Sequence, residues 1–173
     1  AVQLAFIAVA IAATYPLGKR FIPIPQLYLG VAFSFGIPMA FAAVLGTVPV
    51  IGWLLMLANA FWVLAYDTEY AMVDRDDDLR LGIKSSAIYF GRFDIAAVMA
   101  SYGAFLALLV VIGRMIGAAW PFYFGCVIAA ALAAYHFMLI RTRSRDGCLR
   151  AFRHNNWVGL AVFAGTALDY AFR

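Results

Sequence analysis

Charged residues are scarce in this chain, at 13% of 173 positions, against about 25% in an ordinary soluble domain. With 66% of its residues apolar, it has too little polar surface to enclose a water-soluble core, so lipid must be its solvent. Cysteine is nearly absent too. Cys126 lies in an apolar run and Cys148 in a basic stretch, so no disulfide framework is expected. The first segment has no basic flank before it and no small-residue cleavage pattern after it, which argues against a signal peptide. No internal repeat stands out. The net charge of +4 comes from basic residues flanking apolar runs, without aromatics interleaved on a soluble face, so nucleic-acid binding is not expected.

What the chain does have is apolar runs near the roughly 20 residues that a spanning helix needs. They cover approximately 27–46, 48–66, 95–113, 119–140 and 157–172. A shorter run over 1–15 reaches only about 22 Å as helix and is expected to be a span cut by the start of the sequence. The class predicted is therefore all-α, a polytopic membrane helical bundle of about six transmembrane helices in a single membrane domain over 1–173. Lys19-Arg20 with Pro23 and Pro25, Gly46 with Pro49, the acidic stretch with GRFD, 117–121 and RTRSRDGCLRAFRHNN are the breaks. Pro38 should kink the second span.

If the spans alternate, eleven basic residues fall on one side and only Arg114 and Arg173 on the other. That bias predicts polar loops facing the cytoplasm. The Arg-rich stretch 141–153 would then meet anionic lipid headgroups.

On the same side lies the one acidic concentration, YDTEYAMVDRDDDLRLGIKS at 66–85, which holds six of the nine carboxylates. Within 67–94, expected to be a cytoplasmic Asp-rich segment, Asp67, Asp74 and Asp78 are spaced by seven and four. If the third full span continues as helix past Tyr66, these three fall within about 40° of one another. Asp76 points to the opposite face and Asp77 to one side. Such a stripe suits a hard cation such as Mg²⁺ with phosphate oxygens and water completing its shell. Arg75, Arg80 and Lys84 stand near enough to meet a ligand's remaining negative charge. A solvated acidic loop is the plain alternative. Tyr15 and Lys19 share a helical face at the end of the first segment, where interface anchoring is their ordinary role. Asn59 suits an interhelical hydrogen bond better than a cavity role. His136 and His154 have no partner at metal-ligand spacing and read as structural.

The run YPLGKRF, then PQLYLGVAFSFGIPMAFAA, then YDTEYAMVDRDDDLRLGIKSSAIYFG, and finally AFRHNNWVGLAVFAG, resembles the UbiA superfamily of intramembrane prenyltransferases. Within it, the likeness is to the 4-hydroxybenzoate polyprenyltransferases of ubiquinone biosynthesis. DxxYxxxDxxxD is met by Asp67, Tyr70, Asp74 and Asp78, and YxxxK by Tyr15 and Lys19. The family's first motif, of the NDxxDxxxD type, does not occur here. The resemblance implies the last six of nine helices, with half the metal site lying elsewhere, and an isolated fragment without activity.

The same resemblance implies Mg²⁺-dependent transfer of a polyprenyl group from polyprenyl diphosphate to the ring of an aromatic acid. Asp67, Asp74 and Asp78 would act as catalytic metal ligands. Tyr15, Lys19, Tyr70, Arg80 and Lys84 would contact the diphosphate. A naphthoate, a homogentisate or a haem remains open as acceptor. So does a non-enzymatic cation-binding or transport protein, for which Asp169 is the isolated acidic candidate within a span.

Overall fold

A computed structural model of the chain describes residues 1–14 and 21–172. Tyr15 and Lys19, expected above at the diphosphate, lie outside the described residues. The architecture is an all-α bundle: α1 Val2–Phe21, α2 Pro25–Ser34, α3 Gly36–Leu45, α4 Val50–Leu81, α5 Ser86–Phe90, α6 Asp94–Met115, α7 Trp120–Ile140 and α8 Arg145–Ala171. A single 3₁₀ turn, Gly91–Phe93, joins α5 to α6.

Four stretches among the described residues are long and apolar enough to cross a membrane: Pro25–Leu45, Val50–Leu81, Ser86–Met115 and Trp120–Ile140. Helix α8 is long as well, but His154, Asn155, Asn156 and Asp169 interrupt its apolar run. The span predicted over 27–46 is broken at Phe35, which separates α2 from α3. Pro38 is the cause. It has no N–H to give the carbonyl four residues back, and its ring crowds that carbonyl.

Two polar stretches read as breaks are helix instead. The acidic stretch after Tyr66 is a continuation of α4 through Leu81. The helix stops where Gly82 takes φ +66 and Ile83 N donates to Asp78 O at 3.0 Å, a left-handed cap that suits glycine. Similarly, α8 starts at Arg145, twelve residues before the predicted span, because Ser144 caps it by accepting from Gly147 N at 3.2 Å. Ser/Thr caps of this kind satisfy an otherwise orphaned helix N–H.

Lipid tails are as apolar as leucine, so helices in a membrane associate through close packing and interhelical polar contacts. Small residues supply the first. Ala58, Ala60 and Ala65 of α4 are buried, and a Cβ on Gly30 of α2 would stand 2.8 Å from Ala60 O. Where α7 crosses α8, a Cβ on Gly125 would stand 2.6 Å from Ala161 O. One apolar core gathers around Val98, Tyr102, Ile140 and Ala151, another around Phe105, Phe122, Ala129 and Val158. Both cysteines are free and buried.

Candidate functional site

Because α4 is unbroken, Asp67, Asp74 and Asp78 ride on one helix and share one edge of it. All three are half-buried, whereas Asp76 is exposed. Tyr70, between the first two, turns its hydroxyl to Asp74 and packs its ring 4.9 Å from that of Phe152 on α8. Phe152 also meets Tyr66, at 6.1 Å. Tyr66 and Phe152 also line a chamber of about 590 Å³, together with Trp62, Arg153, Asn155 and Asn156. Deeper in the bundle a second cavity, about 200 Å³, shares Trp62 and is walled by Leu55, Asn59, Phe105 and Phe163 among others. Trp62 and Tyr66, on the same helix as the acidic edge, thus face these hollows.

The basic residues divide. Lys84 Nζ donates to Phe21 O at 3.1 Å, which brings its ammonium to the end of α1. Its loop is held down by Ser86 N donating to Gln26 Oε1 at 2.8 Å and by a 2.9 Å contact between the Thr68 and Ser86 hydroxyls. Next to Lys84, Ser85 Oγ is a buried side-chain oxygen with no hydrogen-bond partner among the described residues. Arg80 is 80% exposed and reaches Asp77 at 3.8 Å. Arg75 is taken up by Asp94, 3.4 Å away.

Arg145, placed by its sequence in a topology-setting loop, instead faces the acidic edge. Its guanidinium lies 3.3 Å from Asp77 and 3.9 Å from Asp74. Asp94 was likewise read as part of a break, yet it is fully buried and binds Arg143 at 2.6 Å. Arg143 Nη2 also donates to Arg92 O at 2.9 Å. These bonds hold Arg143 at φ +54, a left-handed conformation that costs a non-glycine residue about 1–2 kcal/mol. They also raise the Arg143 pKa above its already high ordinary value, chiefly through the hydrogen bonds it donates to Asp94.

A polar network inside the bundle is the largest feature that sequence reading missed. Glu69, counted with the acidic loop, is 0% exposed. Tyr102 and Asn155 meet its two oxygens at 3.1 and 2.8 Å. Asn155 Oδ1 accepts from Trp62 Nε1 at 3.0 Å and from Tyr102 at 2.7 Å. His136 Nδ1 lies 2.9 Å from the Tyr102 hydroxyl, and its Nε2 3.1 Å from His154 Nδ1. Both histidines thus belong to one hydrogen-bonded chain. Asn59 donates to Ser34 Oγ on α2 at 2.9 Å, the expected interhelical bond. Asp169 accepts from Ala119 N at 2.6 Å and so caps α7.

Among the described residues, no three of His, Cys, Asp and Glu gather closely enough to enclose a metal ion. The edge offers hard oxygen donors from one side only. That is the donor set Mg²⁺ takes when phosphate oxygens and water fill its other positions, so the residues fit the ion in that role.

Residues 1–159 match the UbiA prenyltransferase family. The chain belongs to that family. This UbiA-family chain is 60% identical to "4-hydroxybenzoate octaprenyltransferase" of Cupriavidus necator, over 98% of its own length and 60% of that protein's. To the Methylobacillus flagellatus protein of the same name it is 59% identical, over 98% of this chain and 57% of the other. It spans about three fifths of the curated relatives it matches. Among solved structures, the apo form of a UbiA homolog from Aeropyrum pernix superposes with a TM-score of 0.79 at 27% identity, covering 97% of this chain and 63% of the other. With four apolar spans among the described residues, the protein is an integral membrane helical bundle.

Proposed function

We propose that this chain forms the second acidic half of the site of a Mg²⁺-dependent prenyltransferase. The full enzyme would move a polyprenyl group from polyprenyl diphosphate to the ring of 4-hydroxybenzoate, in ubiquinone biosynthesis. The single observation that carries this reading is the unbroken α4, whose Asp67, Asp74 and Asp78 share an edge and whose Trp62 and Tyr66 line the chamber with Phe152. The relatives' names support the acceptor and the prenyl donor. Capping by Asp169 of a neighbouring helix leaves the transport alternative without its isolated acid.

In this mechanism Asp74 and Asp78 would hold Mg²⁺, with Asp67 as a further ligand or as a positioning group for the diphosphate. Held there, Mg²⁺ would supply charge withdrawal from the departing diphosphate. Tyr70 orients Asp74 by hydrogen bonding. Lys84, with Tyr15 and Lys19, meets the remaining charge, and Arg80 is the weaker partner because it extends toward solvent. The chamber's rings keep water from the allylic centre as its bond to oxygen breaks. Ring attack forms the new carbon–carbon bond, and loss of the ring proton restores aromaticity. The acidic edge would face the cytoplasm at the inner membrane, given the bias in basic residues.

The test is to incubate the full-length enzyme, reconstituted in vesicles, with octaprenyl diphosphate and 4-hydroxybenzoate, and to identify the product by mass. Ring-prenylated acid that vanishes with a chelator and returns with Mg²⁺ is the result expected. Turnover of a naphthoate or homogentisate in preference to 4-hydroxybenzoate would refute the acceptor assignment.

A further inference from the structure

Between α7 and α8 runs a groove of about 450 Å³. Its walls include Trp120, Phe124 and Leu132 of α7 and Trp157, Ala164 and Leu168 of α8. Several of these side chains are well exposed: Trp120 by 72%, Phe124 by 58% and Trp157 by 54%. The close crossing at Gly125 and Gly165 forms its floor.

At its polar end the groove passes, through His154 and Trp157, into a second hollow of about 250 Å³ lined also by Tyr135, Arg150 and Arg153. Apolar walls therefore lead into a cluster of two arginines, a histidine and a tyrosine. The carboxylate beside it, Asp146, lies 3.7 Å from Arg150 with both side chains largely exposed, a pair of little strength. An apolar helix laid in this groove would bring the arginines no anion. A zwitterionic lipid would bring a phosphate together with a compensating cation.

We infer that this groove binds an anionic membrane phospholipid, with an acyl chain between α7 and α8 and the phosphate at Arg150, Arg153 and His154. Basic pockets between helices on the cytoplasmic side recognise such headgroups, each nearby cation favouring an anionic lipid several-fold. Tyr135 and Trp157 sit at the join, where rings with one apolar and one polar end are favoured. His154 is braced by His136 at 3.1 Å, so one headgroup contact is fixed in advance.

The experiment uses the complete natural protein in phosphatidylcholine vesicles doped with either dibrominated phosphatidylglycerol or dibrominated phosphatidylcholine. The readout is the part of tryptophan quenching that disappears in Trp157→Phe. Half-quenching should need about fivefold less phosphatidylglycerol than phosphatidylcholine. Arg150→Gln should reduce that ratio below about twofold, and Ala164→Phe, which fills the groove with an apolar ring, should abolish quenching of Trp157 by both. Equal quenching by the two lipids, or a preference untouched by Arg150→Gln, would overturn the inference. So would the absence of quenching by either, which would mean that protein covers the groove.

Discussion

Asn155 of α8 donates its amide to the Glu69 carboxylate of α4 across 2.8 Å, and both residues are shut away from solvent. Asn155 Oδ1 in turn accepts from Trp62, the ring shared by both inner cavities. Thus the helix that carries the acidic edge is locked in rotation by a polar contact on its opposite face. Turning α4 to free Glu69 would move Asp67, Asp74 and Asp78 as well.

Glu69→Ala should therefore destabilise the protein strongly. Removing one partner of a buried polar cluster leaves Asn155 and Tyr102 unsatisfied, at about 1–3 kcal/mol for each such group. Glu69→Gln, which keeps the shape and most acceptors, should lose less. Thermal unfolding in detergent ranks the two variants, and equal losses would contradict the network's role.

Asp94 gives a second case. It is 0% exposed and holds Arg143 and Arg75, so Asp94→Ala removes charge-assisted hydrogen bonds to two partly solvated guanidinium groups and should cost about 1–3 kcal/mol. Asp94→Asn retains part of the hydrogen bonding to Arg143 and should cost less. Arg143→Gly separates charge from backbone: like Arg143→Ala it takes the main cation from Asp94, but it relieves the strain at φ +54, so it should destabilise less than Arg143→Ala. Chemical denaturation in mild detergent reads these variants.

A pH dependence follows from Cys148, which is fully buried. Burial is the main cause that pushes its thiol from an ordinary value of 9.0 up to about 11, with Glu69 and Asp94 adding to it. A raised pKa leaves stability unaffected below the unfolded value and lowers it as pH climbs through the folded one. Between pH 9 and 11 the wild type should lose roughly 2 kcal/mol relative to Cys148→Ala. Parallel stability–pH curves for the two proteins would rule this out.

Gly125→Val tests the α7–α8 crossing. Its new side chain would meet Ala161 O, already 2.6 Å from where a Cβ would stand, and overpacking of that kind costs about 1–3 kcal/mol. Gly103, whose Cβ position is open, should accept alanine without loss. The pair is compared by melting temperature.

Much of this was legible in the sequence because lipid imposes length and hydropathy on every span. The 3.6-residue repeat then carried the stripe Asp67, Asp74, Asp78 past the end of the apolar run. The same repeat puts Glu69 about 200° from Asp67, toward Ala65 and Met72, so its inward direction was readable as well. It was hidden by grouping Glu69 with its acidic neighbours. Ser144 followed by Arg145-Asp146 was likewise an available helix-start signal, masked by charges that resembled a loop. Asp94 had no local signal: its partner Arg143 is 49 residues away, and only the packing of α6 against the α7–α8 turn brings them together.

The most direct measurement is prenyl transfer by the full-length enzyme carrying Asp74→Asn or Asp78→Asn, beside Asp76→Asn, each checked for normal membrane expression. The account predicts that kcat falls by at least about a hundredfold in the first two, with less Mg²⁺ bound in the presence of diphosphate, while Asp76→Asn stays near wild type. Full turnover in Asp74→Asn or Asp78→Asn, or equal losses in all three, would contradict it.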